Sequence, residues 1–303
     1  FFQQESVIED VYKRKQELID LEDGCIKQGV LNAMSGNNYE NWEVKEKPKL
    51  GGVKKKPTIL VIADTQAKSE ENMEYLLWVG HYIAEKQPDI IVHIGDHYDF
   101  PSLSSYDKGK SSSEGRRLYK DIEAGNTGFE YLNIAMKSIP DYNPRKVFCL
   151  GNHEHRLSRY VDDNPELIGT LGVDKLPFEK YGWEVHPFLK PVEIEGIYFV
   201  HYLANPFTGK PYSGSAANIL SKVGKSFVVG HKQTLDISIR PTIDGSLQLG
   251  IVNGACYDFD ESYKGYQGNH HFRGLTVLHE CSNGFGVPMF VSLDYMKEKY
   301  YGV

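Results

Sequence analysis

The chain has 303 residues, 40% of them hydrophobic, and a formal net charge of −7. That is enough apolar content to bury a sizeable core, so the chain is globular, and no overall basic field draws polyanions to it. Its four cysteines form no C-x-x-C pair, no stretch of about 18 apolar residues is present, and no basic-then-apolar leader opens it; the pattern fits a cytoplasmic protein and excludes a membrane partner.

Val7, Ile8, Val11, Tyr12, Leu18, Ile19 and Leu21 recur at helical spacing among charged residues, predicting a helix across residues 5 to 33. Residues 32 to 56 then turn polar and carry Pro48, Gly51-Gly52 and the run Lys54-Lys55-Lys56. Glycine and proline mark a connector, and the lysines read as its solvated face rather than as phosphate contacts. The chain thus divides into an N-terminal helical extension with a basic linker, residues 1–56, and a domain of residues 57–303. The chain begins at Phe1, which leaves preceding residues open.

From Thr58 strand and helix alternate. Residues 59–62 predict a strand, 70–85 a helix, 90–92 a second strand, 101–113 a Ser-rich loop, 114–137 a long helix and 147–150 a third strand. This order favours parallel pairing. The second half changes to short runs near 183–186, 191–201, 226–230, 235–240, 247–252, 274–280 and 287–292, with turns at Glu195-Gly196, Asp244-Gly245 and Asn283-Gly284. The expected fold is α/β, a two-sheet sandwich flanked by helices, with one sheet mixed or mostly parallel and the other largely antiparallel.

Five polar motifs stand where predicted strands end: Asp64-Thr65-Gln66, Gly95-Asp96-His97-Tyr98-Asp99, Gly151-Asn152-His153-Glu154, His201, and Gly230-His231-Lys232-Gln233. Carboxylates, imidazoles and carboxamides at successive strand ends can converge on one crevice. Such a donor mixture is what two neighbouring divalent cations need. Taken singly, Asp64 and Asp96 also read as helix N-caps, Asn152-His153 as turn chemistry, and His201 as a core histidine.

In order, spacing and strand-end context these motifs resemble the signature of the calcineurin-like metallophosphoesterase superfamily: D-x-H, G-D-x-x-D, G-N-H-[DE], a lone His, then G-H-x-H. This chain departs from it at Gln66 and Gln233, where the pattern has histidine. The resemblance, which extends to members encoded by bacteriophages, implies a metallophosphoesterase. Asp96 would bridge two divalent metal ions; Asp64, Gln66 and Gln233 would complete the first position, and Asn152, His201 and His231 the second. A hydroxide held by the metals would attack phosphorus, with His153 protonating the leaving group and Asp99 orienting His153. Arg156, His155 and His97 are the candidate substrate contacts.

With Gln66 and Gln233 the first position has oxygen donors only, so Mn²⁺ is the expected ion, with Mg²⁺, Zn²⁺, Fe²⁺ and Ni²⁺ as alternatives. Asp99 is followed by Phe100-Pro101 instead of the R-G of protein phosphatases, which counts against that branch. The G-N-H turn and G-H-x-x motif resemble the nuclease and cyclic-nucleotide branches, so a phosphodiesterase or nuclease is expected, and the resemblance to phage-encoded members makes DNA or a nucleotide a candidate substrate. A phosphomonoesterase and a non-catalytic scaffold with a degenerate metal site stay open. Oligomeric state has no sequence signal.

Overall fold

The computed structural model describes residues 55–106, 109–261 and 264–302. The helix expected over residues 5 to 33 and nearly all of the linker lie outside the described residues.

Strand β1 (Ile59–Ile62) is buried at every position, as a strand covered on both faces must be. Its side chains alternate. Ile59 and Val61 pack toward a second sheet, whereas Leu60 and Ile62 pack toward helices. Parallel partners follow at β2 (Ile90–His93), β3 (Arg145–Cys149) and β4 (Trp183–His186), and β1 pairs on its other edge antiparallel with β10 (Gly274–Ser282), which pairs with β11 (Phe285–Ser292). Helices α1 (Tyr75–Lys86), α2 (Leu118–Lys137) and α6 (Leu293–Tyr301) cover the outer face of this sheet through Leu76, Val79, Phe129, Leu132, Leu293 and Met296. Gly80 lets α1 and α2 touch, since a Cβ there would lie 2.8 Å from the Leu132 carbonyl oxygen.

The second sheet runs β5 (Val192–Ile194), β6 (Ile197–Val200), β7 (Phe227–Val229), β9 (Leu247–Val252) and β8 (Asp236–Pro241). Its inner face, with Val192, Phe199, Val228 and Ile251, meets Ile59, Val61, Val92 and Val147 of the first sheet. Its outer face carries helix α4 (Ala216–Val223) on Val200, Phe227, Val229 and Val252. The result is the expected α/β sandwich of two mixed sheets flanked by helices.

One detail of the expectation is corrected. The second sheet is not largely antiparallel, because β6–β7 and β7–β9 pair parallel and only the edge pairs β5–β6 and β8–β9 are antiparallel. The turn at Asp244-Gly245 closes the β8–β9 hairpin, but β9 turns its other edge to β7, a non-local pairing that turn residues do not encode. Helix α1 also begins at Tyr75 instead of residue 70, because Asn72 Oδ1 accepts the Glu74 amide at 2.9 Å in a preceding turn. Helix α3 (Asn152–Asp163) was not expected: only Glu154 and Leu157 are buried along it, leaving no apolar stripe to detect. The described cysteines, Cys149, Cys256 and Cys281, are free and buried. Among the described residues no helix is long and apolar enough to cross a membrane.

Candidate metal centre

The C-terminal ends of β1, β2, β3, β6 and β7 lead directly into Asp64, Asp96, Asn152, His201 and His231. Parallel strands put those ends on one edge of the sandwich, where ligands bind in open α/β sheets. The loops are cross-tied by backbone: Asp64 N donates to Gly95 O at 3.1 Å, Gln66 N to Asp96 O at 2.9 Å, and Gly230 N to His201 O at 2.9 Å.

Local backbone conformation is unusual here. Of twelve described non-glycine residues with positive φ, five are candidate ligands: Asp64 (48°), Gln66 (44°), Asp96 (54°), His231 (67°) and Gln233 (60°). Such conformations cost free energy and persist where the surroundings over-determine them. Much of that determination comes from Glu154. Its fully buried carboxylate accepts the amides of Gly151 (2.8 Å), Asp96 (2.9 Å), His97 (2.7 Å) and Tyr98 (2.9 Å). Asp96 Oδ1 in turn accepts the His153 amide at 2.9 Å, and Asp64 Oδ2 the His231 amide at 3.0 Å. Two glycines of the motifs make this contact possible. A Cβ on Gly151 would stand 2.2 Å from Asp96 Oδ1, and one on Gly230 2.5 Å from Asp64 Oδ2.

Asp96, Asn152, His201 and His231 come together. Ligand atoms of Asp96, His201 and His231 lie within 4.8 Å of one another. His201 Nδ1 donates to the Ile94 carbonyl at 2.8 Å, which turns Nε2 toward Asn152 Oδ1 (2.8 Å) and Asp96 Oδ2 (3.2 Å). Asn152 Oδ1 is also 2.8 Å from His231 Nδ1. Two imidazole nitrogens and two oxygens thus face one point, an arrangement that calls for a proton or a metal cation between them. Burial opposes charge on His201, but Asp96 and the hydrogen bond to it push this imidazole up to about 9. Burial and the charge of His201 push His231 down to about 4, leaving it neutral and fit to ligate. Asp96 is buried as well, yet His153 and His201 hold it well below the usual carboxylate range.

Asp64, Gln66 and Gln233 lie at the neighbouring position. Asp64 Oδ1 and Gln66 Oε1 are buried and have no hydrogen-bond partner. Orphaned acceptors of this kind suit a cation. Burial pushes Asp64 up to about 7, with Asp96 adding to the rise against His201. Gln233 differs: its Oε1 accepts from Tyr257 Oη at 2.9 Å and from the Lys264 ammonium. The residues therefore fit a metal cleanly at the second position and, at the first, fit one with a lysine in attendance.

Beside both stands His153, whose Nδ1 is 2.7 Å from Asp99 Oδ1 and 2.9 Å from the Asp99 carbonyl. Its Nε2 faces Asp96 Oδ2 at 3.6 Å and Arg156 Nη2 at 3.1 Å. Burial disfavours the imidazolium, but Asp96 and Asp99 together raise the His153 pKa above its ordinary value. Arg156 also donates to the Asp99 carbonyl at 2.9 Å, so it sits at the site. His155 stacks on Phe188 with ring centroids 4.7 Å apart; Phe188 meets Tyr202 at 5.5 Å, and Tyr202 meets His231 at 4.8 Å.

His97 is corrected. It does not line the cleft, because its ring is fully buried, with Nδ1 2.8 Å from Thr65 Oγ1 and Nε2 2.9 Å from the Gly125 carbonyl. A two-residue reading of G-D-H-Y-D cannot tell which side chain the turn throws inward. Sequence reasoning also missed Glu154 as an organiser and Tyr257 and Lys264 as neighbours of Gln233. Glu154 was visible as the last residue of G-N-H-E; the other two lie outside every motif.

The calcineurin-like phosphoesterase family model matches residues 57–255. The chain is 30% identical over 178 residues to the Gene 54 protein of Mycobacterium phage D29, covering 57% of this chain and 68% of that one. It is 28% identical over 178 residues to the Gene 54 protein of Mycobacterium phage L5, with the same shares. Among solved structures, an archaeal phosphodiesterase aligns over 77% of this chain and 99% of its own at 13% identity, with a TM-score of 0.36.

Proposed function

The chain belongs to the calcineurin-like phosphoesterase family and is a hydrolase of phosphate esters; within that class we propose a phosphodiesterase or nuclease that works with two divalent cations. The observation that carries the reading is the pairing of orphaned acceptors on Asp64 and Gln66 with the Asn152 oxygen that faces both His201 and His231 across Asp96. Asp96 would be shared by the two positions. Asp64, Gln66 and Gln233 hold the first ion, and Asn152, His201 and His231 hold the second. Mn²⁺ is the ion that suits the first set best, because all its donors are oxygen.

Bound cations supply Lewis acidity at the phosphoryl oxygens and acidify the attacking water. The chain's own residues do the rest. Asp99 fixes the His153 ring through Nδ1, and Nε2, which in this structure accepts from Arg156, is the atom that would carry a proton to the leaving alkoxide. Asp96 and Asp99 raise the His153 pKa against burial and the charge of Arg156, which favours a proton on this ring. Arg156, against the same imidazole, offers a guanidinium to a phosphate oxygen. The rings of His155, Phe188 and Tyr202 give a nucleobase a surface on which to stack, which supports DNA or a nucleotide over a protein substrate. Relatives from mycobacteriophages support an assignment to the cytoplasm of an infected bacterial cell.

A second reading, a scaffold with a degenerate metal site, draws on the two glutamines, and a phosphomonoesterase differs only in substrate. Purified protein with Mn²⁺ is offered bis-p-nitrophenyl phosphate, p-nitrophenyl phosphate and single-stranded DNA. Turnover of the diester, lost in Asp96→Asn and reduced about 10²–10⁴-fold in His153→Ala, is the expected result. A preference for the monoester would replace the diesterase by a phosphomonoesterase. Folded protein that binds Mn²⁺ and cleaves none of the three would favour the scaffold.

A further inference from the structure

We propose that Lys264 is a resident cation of the first metal position, its ammonium seated against Gln233, so that a divalent ion enters there only by displacing the lysine. The inference rests on the assignment of Gln233 as a ligand and deepens it. Lys264 Nζ donates to Gln233 Oε1 and, at 2.7 Å, to Tyr257 Oη, whose hydroxyl donates to the same Gln233 oxygen at 2.9 Å. The ammonium also lies 5.4 Å from the centroid of the Tyr257 ring. Gln233 Oε1, at a position where the family pattern has a metal-binding histidine, is thus already satisfied, whereas Asp64 Oδ1 and Gln66 Oε1 are not.

The lysine is held there by its surroundings. Glu261 pairs with Lys68 at 3.0 Å, and Asn269 closes the segment by accepting the Glu261 amide at 2.8 Å and donating to the Glu261 and Gly265 carbonyls at 3.0 Å each. Burial lowers the Lys264 pKa, with Arg273 and Lys68 adding to the fall, while Glu261 and Asp64 favour its charge. Glutamine at position 233 suits this role, since its carboxamide oxygen accepts from an ammonium. The centre consequently has two states: a one-metal form with Lys264 seated, and a two-metal form with Lys264 withdrawn.

Calorimetric titration of the full chain with MnCl₂ tests this. The wild type should bind one ion tightly and a second weakly. Lys264→Met, which keeps the length and removes the charge, should tighten binding of the weakly held ion, at the position of Gln233, about tenfold or more and leave the tightly held ion unchanged. Lys264→Arg should keep the wild-type pattern. As an independent readout, electron paramagnetic resonance at two equivalents of Mn²⁺ should change from isolated-ion to spin-coupled signals in Lys264→Met. A second constant that is unchanged or weakened in Lys264→Met, with the first intact, overturns the role of Lys264 alone. Wild-type protein that is folded and binds no Mn²⁺ overturns the metal-dependent reading and this inference with it.

Discussion

Glu154→Gln separates the amide grip from the chemistry. In the wild type Oε1 accepts from His97 N and Tyr98 N, and Oε2 from Gly151 N and Asp96 N. Glutamine keeps one oxygen and puts an NH₂ against the other two amides, leaving two buried N–H groups without partners. At about 1–3 kcal/mol for each orphaned group, the loss is roughly 2–6 kcal/mol. Burial and the charge of Asp96 raise the Glu154 pKa, so part of the cost of a buried carboxylate is relieved at the same time, and the lower half of that range is expected. At about 2–4 °C for each kcal/mol in a domain of this size, the Tm should fall by roughly 4–16 °C. Scanning calorimetry in chelator measures it. Because Asp96 sits at φ 54° under this grip, Mn²⁺ affinity should fall as well. A Glu154→Gln protein melting within about 2 °C of wild type, with unaltered Mn²⁺ affinity, would refute the reasoning, since the amides would then have other partners.

Stability of the metal-free protein should depend on pH through His201. Its folded pKa of about 9 stands above the ordinary 6.5, so the stabilisation it contributes is complete below about 6.5 and is lost as pH rises through 9. Asp64, raised from 3.8 to about 7, adds a loss of the same sign at lower pH. The Tm in chelator should therefore decline from pH 6.5 to 9, and His201→Gln should flatten that decline; parallel profiles would contradict it. Converting both Gln66 and Gln233 to histidine restores nitrogen donors at the first position and should shift the Zn²⁺ over Mn²⁺ preference by about tenfold or more in competition titrations. No shift would mean that neither side chain reaches the ion. Gly230→Ala drives a methyl to within 2.5 Å of Asp64 Oδ2 unless the carboxylate moves, so Mn²⁺ binding should weaken at a stability cost of about 1–3 kcal/mol. Unaltered Mn²⁺ binding would show that the loop yields instead.

How much of this was legible in the sequence depends on how far apart the interacting residues lie. Strands β1, β6 and β7 were readable because each is a short run of apolar residues rich in Ile and Val that ends at a turn signal. The parallel join of β7 to β9 was not, since it skips the hairpin partner β8 and depends on the edge left free. Helix α3 escaped for another reason: it begins inside a site motif and is mostly polar, with only Glu154 and Leu157 buried, so little apolar sequence marks it. Candidate ligands were legible because each stands immediately after its strand, where local order in the chain maps onto nearness in space. Lys264 was not, because it reaches Gln233 from 31 residues away through a segment with no periodic pattern.

Backbone strain at the centre bears on whether the two glutamines mark decay. A glycine at a positive-φ position would avoid the steric penalty that a side chain meets there. Yet Asp64, Gln66, Asp96, His231 and Gln233 all keep side chains at φ between 44° and 67°, and every one carries an oxygen or nitrogen donor. If the first position had no task, Gln66 and Gln233 would be the places where loss of the side chain relieved strain without losing a function. Their donors, beside the unpartnered Asp64 Oδ1, support the proposed reading of a position that receives a cation over one of decay.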